Sequence, residues 1–124
     1  MALMFLNGEG MNGGVAHRHI QGSPLVGHRR TAPKYRFFSF GDQFPAIVPV
    51  DAGGASIVGE LYEVEMDRLR ALVATEPAEL ELAIVELEGG ELSFGMVARS
   101  GEQNRAGVLD ITEFGGWRAY HAAR

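Results

Sequence analysis

The chain has 124 residues, which suits one domain of ordinary size, and its 46% hydrophobic content is enough for a packed core. It has no cysteine, which excludes disulfides, zinc–thiolate sites and a cysteine nucleophile. The net charge of −5 is unevenly spread, +4 over residues 1–40, −10 over 41–95 and +1 over 96–124, and the acidic middle argues against a nucleic-acid domain.

Residues 2–6 read as a buried strand. They are too short an apolar run for a signal core, and no run approaches the ~20 residues of a membrane span. A soluble, cytoplasmic protein is the expectation. Residues 7–14, Asn-Gly-Glu-Gly-Met-Asn-Gly-Gly, form a glycine-rich loop. Residues 15–21 suit one or two helical turns. Strands are expected over 23–28 and 34–40, around a turn at Thr31-Ala32-Pro33. A short strand over 44–50 carries Pro45 and Pro49, which marks an edge or an irregular segment. After a turn at 51–54, residues 55–65 alternate as a long strand.

Residues 66–75 make the firmest helix, with Met66, Leu69, Leu72 and Val73 on one face at helical spacing. Pro77 ends it, because proline disfavours the helical state in the residue before it, Glu76. Residues 80–87 and 91–98 form a hairpin, with Gly89-Gly90 supplying the positive φ of a two-residue turn. A last strand at 108–111 and a helical segment at 117–123 close the chain. The sum is an α+β domain over residues 1–124: a small mixed or antiparallel, barrel-like sheet with one main helix.

Three places offer chemistry. Gly8, Gly10, Gly13 and Gly14 let the backbone approach a ligand, and successive N–H groups in such a loop cradle a carboxylate or phosphate. The loop lacks both the Lys-Ser/Thr ending of a P-loop and the G-x-G-x-x-G spacing, so on glycine spacing alone a plain turn is the stronger reading. Glu76 sits at a helix C-terminus, whose partial negative charge disfavours ionisation. If it is also partly buried, its pKa rises and suits a general acid or base near neutral pH. By itself it is one of twelve acids in that stretch and reads more simply as a solvated one.

The third place is His17-Arg18-His19, which puts two imidazoles on one face of a strand but about 200° apart on a helix. No third ligand is signalled nearby, so no metal site is assigned. His28-Arg29-Arg30 is a basic cluster able to hold an anion, though a solvated turn is the simpler reading. None of Ser23, Ser39, Ser56, Ser93 and Ser100 has a G-x-S-x-G setting.

These segments together resemble the γ-glutamylcyclotransferase-like family. Residues 5–11, Phe-Leu-Asn-Gly-Glu-Gly-Met, stand at its first-strand motif. Residues 31–37 resemble its T-x-x-Y strand, and Phe44-Pro45-Ala46-Ile47 its Y-P-A-L/I. Residues 58–64, Val-Gly-Glu-Leu-Tyr-Glu-Val, match its V-x-G-E-L-Y-E-V strand. The tail over residues 110–120, Asp-Ile-Thr-Glu-Phe-Gly-Gly-Trp-Arg-Ala-Tyr, is similar to the ending of the C-terminal domain of allophanate hydrolases, here expected to stand alone.

The resemblance implies a γ-glutamylcyclotransferase-like fold. It implies a catalytic Glu76 and a substrate-binding loop of Asn7, Gly8, Glu9, Gly10 and Met11, with no cofactor and no metal. Three functions stay open. One is cyclisation of a γ-glutamyl amine to 5-oxoproline by a transferase-type enzyme. The second is a non-catalytic domain that binds a small carboxylated or urea-derived metabolite or an amidase partner. The third is a carbamate-type reaction with Arg18, Arg30 or His17 steadying the anion. Asn7 stands where the family motif has tyrosine, while the glutamate is retained. Substrate and oligomeric state are not legible.

Overall fold

The computed structural model describes all 124 residues. Eight strands form one curled sheet: β1 (Ala2–Leu6), β2 (Leu25–Arg30), β3 (Tyr35–Phe40), β4 (Phe44–Pro49), β5 (Val58–Val64), β6 (Leu80–Glu86), β7 (Leu92–Ala98) and β8 (Val108–Asp110). Two α-helices accompany them, α1 (Met66–Ala74) and the shorter α2 (Trp117–Ala122), with 3₁₀ turns at His17–His19, Glu102–Asn104 and Thr112–Phe114. The fold is mixed α+β, a curled half-barrel with one main helix, as the alternation and the single strong helical stripe imply.

The sheet runs β2-β5-β1-β7-β4-β3-β8, with β6 also paired to β7. β6 lies antiparallel along the whole of β7, from Leu80↔Ala98 to Glu86↔Leu92. β1 and β4 both pair with β7 in parallel, β1 at Phe94 and Gly95 and β4 at Val97. They therefore follow each other along the one remaining edge of β7 and part company there. That parting opens the space in which the site lies. Residues beyond β2 close the other side of the curl. Thr31 bridges Leu87, the Glu88 amide donates to the Arg30 carbonyl, and the Ala32 amide donates to the Glu86 carbonyl.

The core fills the curl. Met4, Phe5, Phe37, Ile47, Ile57, Leu61, Leu72, Leu87 and Ile111 are fully buried. β5 is paired along both edges, by β2 and by β1, and most of its residues are buried. α1 buries Leu69 and Leu72, with Val73 packed at the margin; Met66 is 60% exposed, so the apolar stripe starts a turn later than its spacing predicts.

Two further local differences have physical causes. β2 extends two residues past the expected end, because its backbone continues to pair with β5 at Arg29↔Gly59 and Arg30↔Val58 beyond a bulge between Leu25 and Gly27. His28-Arg29-Arg30 is therefore strand, not turn. The β6–β7 connection is a three-residue loop, because the Leu87 amide donates to the Glu91 carbonyl; Gly89 and Gly90 have φ of +89° and +91°. No helix is long and apolar enough to cross a membrane.

Candidate functional site

The end of β1 delivers the chain into the glycine-rich loop at the point where β1 and β4 separate. Gly8 packs against Pro45 of β4, so closely that a Cβ at this position would lie 2.5 Å from the proline Cδ. The absence of a side chain here is a steric requirement. From the other side, α1 ends at Thr75, whose hydroxyl donates to the Leu72 carbonyl. The Glu76 amide donates to the Val73 carbonyl, and Pro77 then turns the chain toward β6. Glu76 is thereby carried to the loop.

The result is a narrow cavity of about 50 Å³ between β1, β4 and the end of α1. Asn7, Gly8, Glu9 and Gly10 line it with Glu76, against apolar walls that include Phe5, Phe44 and Pro45. Burial alone pushes the Glu76 carboxyl up to about 7, since the charged form loses hydration and gains no hydrogen bond or ion pair in return. None of the backbone N–H groups of Asn7, Gly8, Glu9 and Gly10 donates a hydrogen bond within the chain. Four residues with uncommitted backbone donors and a carboxyl raised to about 7 thus line one small space. This arrangement can accept an oxyanion at the loop and exchange a proton at Glu76.

Met11 stands apart from this group. Its amide donates to the Gly8 carbonyl, its side chain is buried, and it lies away from the Glu76 cavity. The turn from Gly8 to Met11 is the cause, because it reverses the chain after Gly10. His17 packs its ring against Tyr62, and its Nδ1 lies 2.9 Å from the Gly10 carbonyl. Arg18 is exposed and donates to the Val15 carbonyl. Arg30 lines a different recess. Hence His17, Arg18 and Arg30 are not gathered about Glu76.

The loop is held by contacts that no local pattern announces. Glu9 turns its carboxylate away from the cavity: Oε2 accepts from the Trp117 indole N–H at 2.7 Å and Oε1 from the Val15 amide at 3.2 Å. Beyond the loop, Glu60 is only 4% exposed. Its Oε1 accepts from the Asn12 amide at 2.8 Å and the Tyr62 hydroxyl at 2.9 Å, and its Oε2 from Arg118 Nη1 and Nη2, each at 3.2 Å. Burial by itself would raise this carboxyl, but the Asn12 amide, the Tyr62 hydroxyl and the Arg118 guanidinium together hold it below its ordinary value. Tyr62 is pushed up to about 12, by burial first and by the Glu60 carboxylate second. A charged residue set between Gly59 and Leu61 was the one available signal; besides Tyr62, its partners Asn12 and Arg118 lie 48 and 58 residues away.

The curled half-barrel is a γ-glutamylcyclotransferase-like fold. An AIG2-like protein from Mus musculus has the same fold, with a TM-score of 0.63 over 82% of this chain and 78% of its own, at 22% identity. Residues 2–122 match the family described as the allophanate hydrolase C-terminal domain, and the chain belongs to that family.

The urea amidolyase of Saccharomyces cerevisiae is 30% identical over 86% of this chain, which spans 7% of the yeast protein. A uropathogenic E. coli-specific protein of known crystal structure is 30% identical, with a TM-score of 0.90 over 99% of this chain and 97% of its own. The allophanate hydrolase of Kluyveromyces lactis is 26% identical, with a TM-score of 0.90 over 98% of this chain and 21% of its own.

Proposed function

We propose that this domain acts on a small carboxylated metabolite at the cavity between residues 7–10 and Glu76. The observation that carries the reading is the pairing of a carboxyl raised to about 7 with four uncommitted backbone donors. The donors would take the substrate carboxylate. Glu76 would serve as general acid and base, in the pKa range where such a group works best at neutral pH.

With a γ-glutamyl amine as substrate, the steps balance without a cofactor. The neutral α-amine attacks the γ-carbonyl carbon and forms the ring C–N bond, while ionised Glu76 takes one of its two protons. As the original amide C–N bond breaks, protonated Glu76 returns the proton to the leaving amine, giving 5-oxoproline and a free amine. Holding the amine beside the carbonyl supplies much of the rate. The cavity, at about 50 Å³, admits a carboxylate but not a whole γ-glutamyl group, so binding a full substrate requires the loop to open toward the larger recess on its other face, which also contacts Gly8 and Glu9.

A second reading has its own support. In the yeast urea amidolyase and the Kluyveromyces allophanate hydrolase the matching segment is a small part of a much longer chain. A non-catalytic domain that binds a metabolite beside an amidase partner fits that context, and so does Asn7 in place of the motif tyrosine.

Glu76→Gln separates the two, since it keeps shape and removes the titrating group. Turnover of a γ-glutamyl amine should fall by at least 10²-fold, while binding of 5-oxoproline survives. Wild-type protein that binds 5-oxoproline without turning over any γ-glutamyl amine supports the accessory reading. Unchanged turnover in the variant removes Glu76 from the mechanism.

A further inference from the structure

A second recess, of about 490 Å³, lies where β2, β5 and α2 meet, and it shares no lining residue with the Glu76 cavity. Its size falls within the range of small-molecule sites. His28, Arg29, Arg30 and Arg118 bring basic groups to it, and Met11, Val58 and Trp117 supply an apolar wall.

The basic groups are not equivalent. Arg29 is paired with Glu91 at 3.0 Å. Arg118 is fixed by Glu60 and by the Asn12 carbonyl, at 2.7 Å from Nη2. Those bonds use three of its five N–H donors and leave the Nε–H and one Nη1 hydrogen free. Arg30 is exposed and makes neither an ion pair nor a side-chain hydrogen bond. Its backbone is nevertheless pinned, because its carbonyl accepts from the Glu88 amide at the closure of the curl. One uncommitted guanidinium and one oriented guanidinium therefore line the same recess beside an indole.

We propose that this recess is a second ligand site, which takes a small molecule through a carboxylate or phosphate group held by Arg30 and Arg118, with its apolar part against Trp117 and Val58. Guanidinium groups suit this because their planar donors match both oxyanions and stay charged at all working pH values. Glu88 lines the recess without an ion-pair partner and opposes a second negative charge there.

The test is a ¹⁵N–¹H titration of the full chain with inorganic phosphate and, separately, with succinate. Saturable shifts are expected at residues 28–30, 58–59 and 117–118, including the Trp117 indole. Arg30→Gln should weaken binding about ten-fold, the loss of one charge-assisted hydrogen bond. Glu88→Gln should tighten it about two- to three-fold by removing a like charge. Glu76→Gln should bind as the wild type does. Tighter phosphate points to a phosphorylated ligand and tighter succinate to a carboxylate; either supports the site. Unsaturable shifts, an Arg30→Gln protein that binds like the wild type, or a response lost in Glu76→Gln overturns it.

Discussion

The indole N–H of Trp117 donates to Oε2 of Glu9 at 2.7 Å, across 108 residues of chain. This contact ties α2 to the middle of the loop at the Glu76 cavity. The loop has few internal bonds, so its shape depends on this tie and on the bond from the Val15 amide to the other Glu9 oxygen. Trp117 is itself buried and packs beside Tyr120, whose hydroxyl donates to Asp42 at 2.6 Å.

Trp117→Phe keeps most of the apolar volume and removes the donor. We expect a loss of about 1–2 kcal/mol, as for a charge-assisted hydrogen bond, and faster amide exchange at residues 14–16. Denaturant unfolding and hydrogen exchange measure the two effects. An unchanged exchange rate at these amides would show that the loop does not depend on the tie.

Gly8→Ala puts a methyl group where Pro45 already stands. The proline ring or the loop must shift, costing about 1–3 kcal/mol. Because this is where β1 and β4 part, affinity for 5-oxoproline should fall with stability. Calorimetric binding beside thermal unfolding tests it; an alanine variant with wild-type affinity would mean that the loop reaches its ligand some other way.

Glu60→Ala should cost about 2–4 kcal/mol, because it leaves the Asn12 amide, the Tyr62 hydroxyl and Arg118 without their shared acceptor. The pH dependence carries a sign. The folded carboxyl titrates below its unfolded value of 4.5, so its stabilisation is present above that pH and is lost as pH falls below it. Arg118→Gln should therefore weaken the acid limb of the stability curve. Urea midpoints from pH 3 to 7 are the readout.

Glu76 carries the opposite sign. Its folded value of about 7 exceeds the unfolded 4.5, so folding favours the protonated form. The Glu76 contribution to stability is therefore greatest below pH 4.5 and declines as pH rises toward 7. Glu76→Gln should stabilise the protein by roughly 1–3 kcal/mol at pH 8 and remove this decline.

The strands were legible where short apolar and aromatic runs stand between turn residues, as in Tyr35–Phe40, and α1 was legible from Leu69, Leu72 and Val73. Proline and glycine marked the ends, because their effects are local. What the sequence hid depends on pairing at a distance. Arg29 and Arg30 look like turn residues until Gly59 and Val58 pair with them. The Thr31–Leu87 closure joins segments with no common pattern. Glu60 and Glu9 look like any surface acid, and only Arg118 and Trp117, far along the chain, define their surroundings. The glycines near Glu76 suggested a ligand-facing loop, but spacing alone could not show that the turn from Gly8 carries Met11 away.

The most direct test of the account is a ¹³C NMR titration of the Glu76 carboxyl, with and without saturating 5-oxoproline. The account predicts a midpoint of about 7 in the free protein and a clear shift of that midpoint on binding. A midpoint near 4.5, the value of an ordinary glutamate, unmoved by the ligand, would contradict it.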